Sequence, residues 1–114
     1  MDATELILLY DYYGDLLTDR QKECFELRYN QDLSLGEIGL ELGISRQGVF
    51  DNLSRTEALL KNMEEKTGCV RRDVQCRKAM QTILSAVRAL ENVDNNEIKE
   101  LVLQILEAAQ GLEE

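Results

Sequence analysis

Ser34-Leu35-Gly36-Glu37-Ile38-Gly39-Leu40-Glu41-Leu42-Gly43-Ile44-Ser45-Arg46-Gln47-Gly48-Val49-Phe50-Asp51-Asn52-Leu53-Ser54-Arg55 holds two helix starts on either side of a glycine. Ser34 followed three residues later by Glu37 is a capping box, in which each side chain bonds the other's backbone N–H. Ile38 and Leu42 share the inward face of the short helix that follows. Gly39 is small where a second helix must come close, and Gly43 is free to adopt the positive φ that stops a helix. Ile44 fills the space beneath the turn. Ser45 caps the second helix and Val49 anchors it. Together these features describe a helix-turn-helix whose second helix opens with Arg46 and Gln47, where a recognition helix meets its target.

Upstream, Leu6, Leu9, Tyr10, Tyr13 and Leu17 recur at helical spacing and predict an amphipathic helix over about residues 3–17. Tyr12 falls off that stripe and reads as half-exposed. Thr18-Asp19-Arg20-Gln21 is another capping box. It opens a helix that turns Cys24, Phe25 and Tyr29 inward and ends near Asn30. Downstream, the helix capped by Ser45 continues through Val49, Leu53, Thr56 and Leu60 to about Lys66, and Gly68 closes it. An apolar residue is usual three positions after Val49. Asn52 stands there, and it reads as a hydrogen-bonded asparagine at the edge of the buried face, or else as a reader of bases.

From Val70 to about Asn92, the positions Cys76, Met80, Ile83, Val87 and Leu90 step by fours and threes. Asp94-Asn95-Asn96-Glu97 reads as a third capping box with Asp94 as the cap. Ile98, Leu101, Ile105, Ala108 and Leu112 then form a second stripe. Both have a period near that of a coiled coil, and the short link between them predicts an antiparallel hairpin. The expected fold class is therefore all-α. Residues 1–67 form the N-terminal helices and helix-turn-helix, and residues 68–114 form a C-terminal hairpin that dimerises or covers the core. Val70, Val74, Leu84, Val102 and Leu106 widen the apolar surface beyond one seam, so a homodimer through the hairpin is expected, with a monomer as the rival.

Composition narrows the function. The chain has 114 residues, no proline and no histidine, and three cysteines outside any C-x-x-C pair. No metal or other cofactor is expected, and neither is an enzyme, because the commonest general base is missing. The cysteines read as small buried hydrophobes. No apolar run approaches the roughly 20 residues of a membrane span. The start Met1-Asp2-Ala3-Thr4-Glu5 is acidic where a secretory signal is basic, so a cytoplasmic location is expected. Net charge is −9, with 14 acids and 7 bases in residues 1–67. That is a poor match to a polyanion. The basic cluster is Arg71, Arg72, Arg77 and Lys78, with Asp73 among them. It reads as a solvated helix face or as a patch for RNA or an acidic protein.

Three runs carry a resemblance: Leu16-Leu17-Thr18-Asp19-Arg20-Gln21, Ser34-Leu35-Gly36-Glu37-Ile38, and Ser45-Arg46-Gln47-Gly48-Val49-Phe50-Asp51-Asn52-Leu53 with Arg55-Thr56-Glu57. The chain resembles the YlxM family of helix-turn-helix proteins, itself similar to region four of bacterial sigma factors. The motifs cover about residues 6–67. Departures fall at Ser54, where the family usually has lysine, and over residues 69–114, which match the family's usual tail poorly. The resemblance implies a bacterial accessory or regulatory protein of the signal recognition particle pathway, contacting the particle's GTPases or RNA. The alternative is a transcriptional regulator that binds duplex DNA weakly. The candidate nucleic-acid contacts are those of the recognition helix, Ser45, Arg46, Gln47, Phe50, Asp51, Asn52 and Arg55; if the particle's RNA is the partner, the basic residues Arg71, Arg72, Arg77 and Lys78 are expected to matter.

Overall fold

A computed structural model describes residues 2–113, and every regular element among them is helical. The helices are α1 (Ala3–Tyr13), α2 (Asp19–Tyr29), α3 (Leu35–Leu42), α4 (Arg46–Thr67), α5 (Cys69–Leu90) and α6 (Asn96–Glu113). The chain divides into two compact units, Met1–Val70 and Arg71–Glu114. Among the described residues no helix is long and apolar enough to cross a membrane.

In the first unit, local chemistry sets the helix limits. Thr18 and Ser34 each accept from the backbone three residues on, while Gln21 and Glu37 reach back to the cap N–H. Ser45 Oγ accepts from Gly48 N at 2.9 Å. Gly43 (φ 70°) and Gly68 (φ 63°) end α3 and α4 in the left-handed region, where glycine alone meets no steric penalty. α1 is shorter than its apolar stripe suggests. It ends at Tyr13, and Gly14–Leu16 forms a 3-10 turn. The chain leaves the helical conformation at Leu17, which is extended so that Thr18 can cap α2.

α4 runs through two buried clusters. Cys24 of α2, Ile38 of α3 and Val49 of α4 make one, which holds the helix-turn-helix. Leu6, Leu9 and Tyr13 of α1, with Leu17, Phe25, Leu60 and Val70, make the other. Phe25 stacks on Tyr10 at 4.2 Å and packs against Tyr29 at 4.5 Å. Two arginines of α2 hold carbonyls around α3: Arg28 donates to Leu33 O at 3.0 Å, and Arg20 to Leu42 O at 3.4 Å, a cation at a helix C-terminus. At the junction of α4 and α5, Glu64 accepts from the Tyr13 hydroxyl and from Val70 N.

The second unit departs from its sequence pattern in two ways. The cap of α6 is Asn95, whose Oδ1 accepts from Glu97 N at 2.9 Å and Ile98 N at 3.2 Å. Asp94 instead lies 3.7 Å from Lys99 Nζ on the surface. α5 and α6 do run antiparallel: a groove of about 430 Å³ is lined by Cys76, Met80 and Leu84 of α5 together with Leu112 from the end of α6. Their contact line, however, is not the expected pair of stripes. Val87, Val102 and Ala109 are buried and Met80, Leu84, Ile98 and Leu106 half-buried, while Ile83, Leu90, Leu101, Ile105 and Leu112 are exposed. Two helices touch along one narrow seam, so an apolar surface this wide cannot all be covered within the hairpin. Of the three cysteines expected to be buried, Cys24 is, whereas Cys69 is half-buried and Cys76 exposed.

Gly39 is the tightest point of the fold. A Cβ added there would sit 2.7 Å from the Ile44 carbonyl oxygen, a backbone atom that cannot swing away. Gly39→Ala should therefore lower stability by roughly 1–3 kcal/mol, measured as a lower urea midpoint. A second expectation concerns alkaline pH. Burial first, and then the hydrogen bond to Glu26, push the Tyr10 phenol from 10.0 up to about 12. Its neutral form therefore contributes stability in full below pH 10 and loses that contribution as pH rises towards 12. Phenolate absorbance should show a tyrosine that titrates late in the folded protein and normally in urea.

Candidate functional site

The two caps and the Gly43 turn leave the start of α4 projecting from the first unit. Ser45, Arg46, Gln47, Phe50, Asp51 and Arg55 are all exposed, and Asn52 is half-buried. Phe50 keeps 51% of its surface in solvent, an unusual position for an aromatic ring with an apolar core within reach. Arg46, Gln47 and Phe50 line a shallow hollow of about 450 Å³, completed by Leu35 from the first turn of α3. A cation, an amide and an aromatic face thus meet at one place.

Other candidates are not part of that hollow. Arg55 lies nine residues after Arg46, about 180° around the helix axis. It lines a second hollow with Gln21 of α2 and Ala58, Leu59 and Asn62 of α4. Gln47 Nε2 donates to Asp51 Oδ1 at 3.0 Å, so these two side chains already satisfy each other in part. Asp51 also places a carboxylate among the cations, which weakens this face as a phosphate-binding surface. Ser45 serves α4 itself as its cap. Leu35 and Leu59 were not singled out from the sequence. Both occupy apolar positions in a helical pattern, and only the packing reveals that one is half-buried and the other 39% exposed.

Asn52 is at the edge of the buried face, but it is not satisfied. Its Oδ1 is buried without a hydrogen-bond partner, and so is the hydroxyl of Thr56 one turn on. The buried stripe of α4 passes between Asn52 and Leu53, both half-buried, before reaching Thr56 and Leu60. Asn52 therefore presents no acceptor outward through that oxygen.

The basic residues of α5 are spread around the helix. Arg71 and Lys78 share a side, while Arg77 lies more than 90° away and pairs with Asp73 at 3.3 Å. The four cations thus form no single patch. Among the described residues, no group of three or more histidine, cysteine or acidic side chains is placed to hold a metal ion.

Residues 1–103 match the family described as "Putative helix-turn-helix protein, YlxM / p13 like". A UPF0122 protein of Thermoanaerobacter sp. (strain X514) is 42% identical over 113 residues, spanning 99% of this chain and 95% of its own. One from Acetivibrio thermocellus is 47% identical over 87 residues, covering 76% of this chain and 74% of its own. One from Bacillus cereus (strain AH187) is 37% identical over 111 residues, covering 97% and 96%. The likeness therefore does not stop near residue 67. It extends through α5 and well into α6, so residues 69–103 do not diverge as their motifs suggest. The matched family is described as one of helix-turn-helix proteins.

Replacing Thr56 tests the buried polar pair. Thr56→Val keeps the shape and removes a hydroxyl that makes no bond, so it should raise stability by about 1 kcal/mol. Thermal unfolding measures this, and a lowered midpoint would mean that the hydroxyl is satisfied in solution.

Proposed function

This chain belongs to the YlxM / p13-like family of helix-turn-helix proteins, and on that premise we propose that it is a non-enzymatic regulatory protein of the bacterial signal recognition particle pathway, acting in the cytoplasm through the exposed start of α4. The pathway is what the resemblance to YlxM proteins implies. The observation that carries the site is the hollow of Arg46, Gln47, Phe50 and Leu35, which gathers an aromatic ring, an aliphatic edge and hydrogen-bond donors in solvent. Aromatic residues and arginine are the side chains that most often anchor protein interfaces.

Charge favours a protein partner. The first 67 residues carry twice as many acids as bases. Phosphate contacts supply most of the affinity of a nucleic-acid binder, and an acidic unit offers few. A GTPase of the particle is therefore the preferred partner over its RNA. One feature supports a second reading, duplex DNA: Arg46 and Gln47 occupy the first turn of a capped recognition helix, where such residues reach base edges. Similarity to sigma region four belongs with that reading.

Purified protein titrated separately with the particle's GTPases, its RNA and random duplex DNA separates these cases. We expect saturable binding to a GTPase that Phe50→Ala or Arg46→Ala weakens by at least about tenfold, the loss of one interface anchor. Duplex or RNA binding at low salt should be weak. If it is tight, falls steeply with salt and is lost in Arg46→Ala, the protein is a nucleic-acid reader instead. No binding to any of the three overturns both readings.

A further inference from the structure

Arg55, on the side of α4 opposite Arg46, lines a hollow of about 470 Å³ that α2 and α4 form together. That volume falls within the roughly 300–1,000 Å³ of clefts that hold a ligand. Arg55 and Asn62 lie on nearly the same line of α4, since seven residues make almost two whole turns. The cation and the amide therefore stand about 10 Å apart. Leu59, 39% exposed, sits between them, and Ala58 and Gln21 complete the lining. The polar groups here are left as donors. Gln21 Oε1 accepts from Thr18 N at 3.0 Å in the capping box that opens α2, which fixes the amide and leaves its NH2 for a ligand. Asp51, one turn before Arg55, is engaged instead by Gln47 Nε2 at 3.0 Å. Among the described residues the Arg55 guanidinium has no carboxylate partner, although the unit that carries it is acidic.

We propose that this hollow binds an acidic peptide segment of a partner protein, with a glutamate carboxylate on Arg55 and an apolar neighbour on Ala58 and Leu59. A guanidinium meets a carboxylate through two parallel N–H···O bonds, a match of shape as well as charge. The NH2 groups of Gln21 and Asn62 then donate to peptide carbonyls, and an extended segment at about 3.3 Å per residue spans the distance in three residues. A single cation over an apolar floor selects a carboxylate over a phosphate, because phosphate sites gather several cations or backbone N–H groups. The site is separate from the hollow at Arg46 and Phe50, and it stands whether or not that one binds a particle GTPase.

Titration of the isotope-labelled full chain with the blocked peptide acetyl-Leu-Glu-Leu-amide tests this. Saturable shifts are expected at the side-chain amides of Gln21 and Asn62 and at Arg55 Nε–H. The neutral peptide acetyl-Leu-Gln-Leu-amide should bind at least about tenfold more weakly, the loss of one charge-assisted pair. Arg55→Lys should weaken the glutamate peptide by a similar factor, because an ammonium cannot form the two-pronged contact. Its thermal midpoint should stay unchanged, since the side chain is exposed. Equal binding of the two peptides overturns the proposal. So does inorganic phosphate moving the same resonances at lower concentration, or no shift at about 50 mM peptide, where a millimolar site is filled.

Discussion

The close approach at Gly39 is the contact on which the first unit depends. The backbone carbonyl of Ile44 occupies the space that any Cβ at residue 39 would need. That approach is possible because Gly43 turns the chain at φ 70° and Ile44 N returns a hydrogen bond to Gly39 O at 3.0 Å. The angle between α3 and α4 follows from these atoms. Once it is set, Ile38 and Val49 meet over Cys24, Ser45 is left to cap α4, and the next residues can only point to solvent. The exposed cation, amide and ring at the start of α4 are consequences of a backbone fit one turn earlier.

The same helix also explains why this is an unusual helix-turn-helix. α4 is long, and its far end packs on α1 through Leu60, while its Glu64 accepts from Val70 N. Arg46 and Arg55 face opposite ways around it, and Asp51 stands between them in the sequence. A surface built to neutralise phosphates concentrates cations. This one intersperses them with acids and adds a solvent-exposed phenylalanine, an arrangement better suited to a protein surface. The buried, unpartnered Asn52 oxygen and Thr56 hydroxyl are a local weakness in the helix that presents the site, since polar atoms in a core are normally paired.

Much of the fold is legible in the sequence because its determinants are local. A cap, the residue three positions on and a glycine at the far end fix Thr18, Ser34, Ser45, Gly43 and Gly68 without reference to the rest of the chain. Features that depend on tertiary contact are not legible. Arg20 and Arg28 look like surface arginines until α3 brings the Leu42 and Leu33 carbonyls to them. Asp94 and Asn95 are both good caps, and only the turn after α5 decides for Asn95. The apolar stripes of α5 and α6 were readable, but not which of their residues would form the hairpin seam, because the apolar positions outnumber those that one seam can bury. For the candidate site, the exposure of Arg46, Gln47 and Phe50 follows from the motif. Its division from Arg55 follows only from the helical geometry.

A partner recognised through the start of α4 must perturb that surface when it binds. Amide chemical shifts of isotope-labelled protein, followed during titration with a signal recognition particle GTPase, test it directly. The shifts that move should form a contiguous set at residues 46–51 and at Leu35, with the buried cluster around Ile38 unmoved. Shifts confined to α5 and α6, or no shift at saturating partner, would contradict it.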